Sequence, residues 1–581
     1  MEKKDNIFAL AIIGCGPRGL SALESLYAAA KDLENLPNCV IVEHAKYLGA
    51  GPIYDLDQPD TNWLNVSERT IAIPPRSELK FKEFTIPSFP NFQHWSGYAK
   101  RDSPESEVDS FPSRSKLGQF LNERYLSISK ALISSGLLSI EETEADQIEQ
   151  IDGLLRVRLV GGKSLISHEV ALCIGHQPIK LDDQLSKWQT RVQALDGIDL
   201  FTQPYPVKNI IDLKGFTKNS SVAIRGFGLA MIDVARILSI GLGGKFKLLD
   251  DSSREMDYIP SGKEPKKVLA FSLDGLPMTP KPVNKKIDKL FVPSKKNLST
   301  YKISVQRQID SNESLSSTDF LTSAIAPIVV DKFVAMKGDV RKHSLREDEL
   351  EELVLKWLDD EDIAHDLILS KEISAYDAML KFVNMATGDE KISLDYCIGQ
   401  VWRHTQPTMY KLLSFAPLSD ALIADIVQLD ERLKRYTYGP PIDSLQQILA
   451  LVRSGILDLD YVKNPDIDLG EDGYIFNTSG KTTETTIMIN SVLDAPQILK
   501  VVSPLPKGLI NTSLIEPIHD KLGVRTREDA LIETENGVVP VAMMGRLAKG
   551  TLIGVDAVAE CFGNRSDLWA EGFVGRFKGR I

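Results

Sequence analysis

Gly14, Gly16 and Gly19 stand at the spacing that lets a tight backbone turn approach an anionic group. Glycines there remove the Cβ atoms that would hold a diphosphate away. A helix starting at the turn adds unpaired N–H groups and the positive end of its dipole. A carboxylate about 20 residues further on can accept the ribose hydroxyls of a dinucleotide. Glu43, 24 residues past Gly19, suits that role. A second pair, Gly226 and Gly228, is less regular: Met231 takes the third glycine position, and the next acid, Asp233, falls inside a predicted helix. This unit reads either as a nicotinamide-nucleotide site or as a degenerate half that only packs.

The flanking pattern supplies the elements such turns need. Residues 7–13 form a nearly continuous apolar run ended by glycine, the pattern of a parallel strand covered on both faces. Residues 18–31 have helical spacing, with Leu20, Leu23, Leu26 and Tyr27 on one face. Residues 39–43 read as a second strand, so a βαβ unit carries the first motif. Residues 221–242 repeat the strand–glycine–helix order. Residues 48–115 are rich in Gly, Pro, Ser, Asn and aromatics and read as ordered loops. A helix is expected over 116–136, with strands near 154–160, 168–175 and 267–272. The stretch beyond 272, to about 320, is read as irregular. Residues 345–384 and 408–457 are helical in pattern, and the last hundred residues return to mixed texture.

Composition narrows the functional classes. A chain of 581 residues with 43% hydrophobic content exceeds one core, so two or three lobes are expected. The net charge of −12 argues against nonspecific nucleic-acid binding. Cys15, Cys39, Cys173, Cys397 and Cys561 form no CxxC pair, which fits a reducing compartment and offers neither a disulfide framework nor a metal site. No apolar run approaches the roughly 20 residues that span a bilayer. The first apolar stretch runs into glycines and Pro17-Arg18 without a small-residue cleavage site, so the expectation is a cytoplasmic protein.

Several segments together resemble the FAD/NAD(P)-binding family that includes FAD-dependent urate hydroxylases and nitrosuccinate-forming aspartate N-hydroxylases. Gly14-Cys15-Gly16-Pro17-Arg18-Gly19 is similar to its opening GxGPRG. Gly49-Ala50-Gly51-Pro52-Ile53-Tyr54, Leu64-Asn65, and Phe111-Pro112-Ser113-Arg114 with Gly118 and Leu121 follow in the family's order. Gly175-His176-Gln177-Pro178 looks like its GHxP turn. Gly226-Phe227-Gly228-Leu229 with Asp233, Gly243-Gly244, Pro260-Ser261-Gly262 with Glu264-Pro265, and Tyr438-Gly439-Pro440-Pro441 continue the series. The resemblance implies tightly bound FAD, NADH or NADPH as co-substrate, and an oxygen-using hydroxylation. It places Gly14, Gly16, Pro17, Arg18, Gly19 and Glu43 at the ADP half of FAD, and Asn65, Arg114, Gly175, His176 and Gln177 nearer the flavin. Gly226 and Gly228 would serve the nicotinamide nucleotide. Where the family usually shows Ser-Arg-x-Gly, this chain has Ser272-Leu273-Asp274-Gly275. An arginine is the expected partner of a 2′-phosphate, so its absence favours NADH or no nicotinamide at all. Cys173-Ile174-Gly175 likewise replaces Ala-Thr-Gly, and Cys173 is read as a small buried hydrophobe.

Arg114 could meet a phosphate or the anionic reduced flavin; it could equally be one half of a surface ion pair. His176 sits on a strand-end turn where ligands gather in such folds. His404, with Arg403, could orient a substrate carboxylate or be structural. The architecture expected is α/β: a Rossmann-like three-layer FAD domain from residues 1–215 and 481–581, a second nucleotide-binding insertion at 216–290, and a helical cover at 291–480. The function expected is an NAD(P)H-dependent flavin monooxygenase acting on a small polar metabolite such as an amino acid or amine. The alternatives are a flavin reductase or dehydrogenase without oxygen insertion, and a non-catalytic FAD/NAD-binding regulatory protein. No motif identifies catalytic side chains, the nicotinamide preference or the oligomeric state.

Overall fold

The computed structural model describes residues 7–311, 315–478, 480–493 and 496–580. The apolar run becomes the strand Ile7–Ile13, buried from Ala9 onward. It lies parallel between Cys39–Val42 and Ser164–Leu172. Leu138–Glu141 extends the parallel sheet beyond Cys39–Val42. The far edge of Ser164–Leu172 is shared: Leu154–Leu159 takes its first half antiparallel, and Gly537–Met543 takes its last residues parallel. With Ala145–Ile151 and Leu531–Thr534 the sheet has eight strands.

Each face of this sheet is covered, which is why its central strands carry no polar alternation. One face packs against the helices Pro17–Ala29 and Arg114–Ser134 and against Asn564–Lys578, whose Trp569 and Phe573 enter the same core. The other face packs against the hairpin 145–159 and the helix Pro504–Asn511. The result is a three-layer unit whose sheet joins strands from both ends of the described chain.

A second, five-stranded sheet is parallel throughout, in the order Leu457–Asp458, Lys267–Phe271, Ser221–Arg225, Ile487–Asn490 and Asp199–Phe201. It draws on more chain than 216–290: three of its five strands come from outside that segment. The cause is the burial of Val222, Ala223 and Ile224, which needs partners on both sides of the central strand. The stretch after 272 also differs from its irregular expectation, because Lys295–Asp310 is a 16-residue helix. Ser294 caps it, its Oγ accepting from the Asn297 N–H at 3.1 Å, and Tyr301 and Val305 are buried on one face. That face joins six further helices, from Asp319–Ala335 to Ile442–Arg453, in one core with the second sheet. Among the described residues no helix is long and apolar enough to cross a membrane.

A buried ionic group pins the first helix to its neighbour. Glu24 accepts from Arg76 Nη1 at 2.7 Å and from Arg124 Nη2 at 2.7 Å, with all three side chains almost fully buried. Removing the carboxylate strands two guanidinium groups in low dielectric. We expect Glu24→Ala to cost about 3–5 kcal/mol of unfolding free energy, read by denaturant titration.

Candidate functional site

The first glycine turn divides its glycines by task. Gly14 has φ +91°, and its N–H donates to the Val42 carbonyl at 2.9 Å. A Cβ on Gly14 would lie 2.8 Å from the Cys173 carbonyl oxygen, and one on Gly19 would overlap the Gly14 carbonyl. These two positions are glycine because backbone packs against backbone. Gly16 differs: its Cβ would meet only the Gly51 backbone, at 3.6 Å or more. Gly16 is also the N-cap of Pro17–Ala29, with no side chain capping the helix. The helix N–H groups therefore face an approach that glycine keeps clear, the arrangement an anion needs.

Glu43 closes the turn. Its Oε2 accepts from the Cys15 N–H at 2.8 Å and its Oε1 from the Ala45 N–H at 2.9 Å. Each carboxylate oxygen has a second lone pair, so capacity remains for ribose hydroxyls. Arg18 turns elsewhere, donating to the Met544 and Val555 carbonyls at 3.0 and 2.6 Å. It fastens the C-terminal segment to the turn. Burial pushes the Cys173 thiol up to about 12, as a small hydrophobic filler beside Gly14 requires.

The second turn has the same construction. Gly226 has φ +112°, its N–H donates to the Phe271 carbonyl at 2.7 Å, and its Cβ would lie 2.6 Å from Ser491 Oγ. Gly228 is the uncapped N-cap of Leu229–Ile237, and its Cβ would meet only Met278 Sδ at 3.7 Å. The turns agree even in the next strand over, where the Cys173 N–H donates to the Ile13 carbonyl and the Ser491 N–H to that of Arg225. Met231 is buried in the helical core at the third position. Thus the glycine that shapes the turn and the one that opens it are kept. At the following strand end, Asp274 pairs with Arg435, delivered by the helix Asp420–Thr437. The arginine absent near Asp274 in sequence is thereby present in space.

Arg114 is not a surface ion pair. Its Nη2 meets Asp233 Oδ2 at 2.7 Å and its Nη1 donates to Tyr205 Oη at 3.0 Å, while Tyr205 Oη donates to the same Asp233 oxygen at 2.6 Å. Burial works against the charge on Arg114, but Asp233 and Tyr205 outweigh it and hold the guanidinium firmly protonated. The bridge joins the helix Arg114–Ser134 to the second glycine unit, which also answers why Asp233 sits inside a helix.

Both turns open into one cavity of about 2300 Å³. Glu43, Asn65, Arg114, Gly175, His176 and Gln177 line it, as do Gly16 and Gly228. A Cβ on Gly175 would meet nothing within 4 Å. Burial, and then Arg546, push His176 down to about 4 against the pull of Asp556, so the ring is neutral near pH 7. Elsewhere on the wall lies an ionic cluster that no spacing announced. Arg69 meets Asp109 through two bonds of 2.7 and 2.8 Å and reaches Asp288 at 3.1 Å. Arg403 and His404 both meet Asp288 Oδ1, His404 at 3.1 Å. Lys281 Nζ donates to the Asn65 carbonyl, and Asn65 Nδ2 donates to that of Tyr438 at 3.0 Å. Burial alone would raise Asp288, but His404 and Arg403 hold it well below the usual carboxylate range. Arg403 and His404 stood out in sequence; Arg69, Asp109, Lys281 and Asp288 did not. The local signal at Lys281 is its bracketing by Pro280 and Pro282, which fixes the backbone on either side.

Residues 11–177 match the model of a family described as FAD-NAD(P)-binding, a span holding the first turn, Glu43, Asn65, Arg114 and His176. A nitrosuccinic acid synthase of Aspergillus oryzae is 27% identical over 273 residues, 46% of this chain and 40% of that protein. An L-aspartate N-monooxygenase (nitrosuccinate-forming) of Streptomyces cremeus is 24% identical over 301 residues, 48% of this chain and 43% of that protein. The chain thus matches less than half the length of either curated relative. Among solved structures, an ornithine hydroxylase from Pseudomonas aeruginosa is similar with a TM-score of 0.44 and 10% identity, covering 98% of this chain and 100% of that one.

The open glycines separate cofactor binding from folding. Gly16→Ala and Gly228→Ala should leave the thermal midpoint of the cofactor-free protein within about 2 °C, because neither Cβ meets a neighbour closer than 3.6 Å. Gly16→Ala should weaken FAD at least about tenfold, whereas Gly228→Ala should spare FAD and weaken NADH or NADPH, both read by titration calorimetry. Proton NMR should find His176 unprotonated at pH 6, with its titration centred near 4. The segment 11–177, which matches the FAD-NAD(P)-binding family model, is the one that builds the first turn and Glu43.

Proposed function

We propose that the protein is an FAD-dependent monooxygenase that takes reducing equivalents from NADH or NADPH and hydroxylates the nitrogen of a small polar amino acid. The observation that carries this reading is the pair of matched glycine turns opening into a single cavity of about 2300 Å³. Two nucleotides sharing one chamber is the arrangement a nicotinamide-to-flavin transfer needs. Gly14, Gly16, Gly19 and Glu43 would hold the ADP half of FAD, with Asn65, Gly175, His176 and Gln177 nearer its flavin. Gly226 and Gly228 would hold the nicotinamide nucleotide. When bound, the flavin supplies the redox chemistry; the protein orients the substrate and keeps water away.

The wall suits an acidic amino acid. Arg69 and Arg403 present permanently charged guanidinium groups on it, beside Asp109 and Asp288, and guanidinium geometry suits a carboxylate. The name of one curated relative, an L-aspartate N-monooxygenase, points the same way, towards the amine of aspartate. The partner is accordingly a small molecule. The acidic net charge disfavours nucleic acid, and a cytoplasmic site of action fits five cysteines without a disulfide among them.

The test is spectroscopic. Purified protein should show flavin absorbance that anaerobic NADH or NADPH bleaches, and readmitted oxygen with L-aspartate should yield a hydroxylated nitrogen. Bleaching without a hydroxylated product would replace the proposal with a flavin reductase. Protein that stays colourless with excess FAD would overturn both.

A further inference from the structure

A nucleotide site does not require a lysine like Lys281. Its backbone is fixed between two prolines, its N–H donating to the Pro440 carbonyl at 3.3 Å, and Tyr396 Oη donates to the Pro280 carbonyl at 3.1 Å. The side chain ends on the cavity wall at the Asn65 carbonyl. Among the described residues no carboxylate comes within ion-pair distance of its Nζ. The acids that act on it, Asp288 and Asp109, are already engaged: Asp288 by Arg403, His404 and Arg69, and Asp109 by Arg69. A proton on Lys281 is therefore not locked in place by a salt bridge, unlike those on the two arginines.

We propose that Lys281 Nζ is the proton acceptor for the substrate amine. The inference rests on the monooxygenase reading above. An ammonium has no lone pair to offer an electrophilic oxygen, so the substrate nitrogen must first lose a proton. The N–H bond of the substrate ammonium breaks, its electron pair stays on the substrate nitrogen, and the proton joins the lone pair of Nζ. The lysine ammonium so formed donates to the Asn65 carbonyl, which already accepts from it. Burial, then Arg403 and Arg69, push Lys281 down to about 7, with Asp288 and Asp109 pulling back. His404 and Tyr396 also stand near, bonded to Asp288 and to the Pro280 carbonyl. Around pH 8 the acceptor form predominates.

The rival role is a fixed cation for a substrate carboxylate, and Lys281→Arg separates the two. Arginine keeps the charge and cannot give up its proton. In FAD-loaded enzyme, hydroxylated product formed per NAD(P)H consumed should rise with pH through about 7 in the wild type. At pH 7.5 that ratio should fall about 100-fold in both Lys281→Met and Lys281→Arg, with partial recovery at high pH, where free amine arrives from solution. A Lys281→Arg enzyme that keeps the wild-type ratio overturns the proposal in favour of the fixed cation. A second measurement is independent of turnover: competitive acylation of the wild-type protein by acetic anhydride, with peptide mapping. Lys281 should become reactive with a midpoint near pH 7, and a midpoint near that of surface lysines overturns the proposal. Wild type that forms no hydroxylated product defeats the monooxygenase reading and the proton-transfer role together, whereas an uncoupled Lys281→Met beside an intact Lys281→Arg defeats the proton-transfer role alone.

Discussion

The structure turns on one steric constraint: backbone must come within van der Waals reach of backbone at the carboxyl end of the central parallel strands of each sheet. At the first turn the Gly14–Cys173 and Gly19–Gly14 approaches leave no room for a side chain. That closeness sets the start of Pro17–Ala29 directly above the strand end, with its N–H groups turned to the cavity. A crevice outside the carboxyl ends of parallel strands is where such folds bind ligands, because strand order reverses there and the flanking loops part. Here Ile7–Ile13 lies between Cys39–Val42 and Ser164–Leu172, so its glycine turn emerges at that reversal.

The second sheet repeats the constraint with one relaxation. Gly226 retains its positive φ and Gly228 its open N-cap, while Met231 replaces the packing glycine. One buried tie between this unit and the first is the Arg114–Asp233–Tyr205 group. Buried ion pairs add little net stability, because desolvation offsets their attraction. Their geometry is directional, however: one bond from the Arg114 guanidinium to Asp233, and a second to Tyr205, which itself donates to Asp233, fix the helix Arg114–Ser134 against Leu229–Ile237. The residue that looked like a phosphate ligand in sequence thus aligns the two turns that open on the cavity.

Contiguity decided what could be read from the sequence. The first turn, its strand and helix, and Glu43 lie within 37 residues, and each carries a local pattern: an apolar run, helical spacing, a glycine triplet. The helices within 345–384 and 408–457 were equally plain from periodicity. The helix Lys295–Asp310 was not, because only Tyr301 and Val305 are buried among its many polar residues. The edges of the second sheet were hidden for a different reason: Leu457–Asp458 and Asp199–Phe201 have two and three residues, too few for any alternation to register. Arg435 lies 161 residues from Asp274, and the grouping of Arg69, Asp109, Lys281, Asp288 and Arg403 spans separations such as 40 and 115 residues. No spacing rule reaches across such distances.

The composition of that group follows from electrostatics. Three cations on a partly buried wall repel one another strongly where the dielectric is low, so acids must accompany them. Asp109 and Asp288 do so, but each is turned to a guanidinium, whose fixed fork of donors matches a carboxylate better than an ammonium can. The arginines take the acids, and the amine is left with a carbonyl. Two charges on the wall are thereby permanent, and the third follows pH and whatever enters the cavity. An incoming carboxylate would draw a proton onto Lys281; an incoming ammonium would favour its neutral form. The wall can adjust its charge to its guest without moving a side chain.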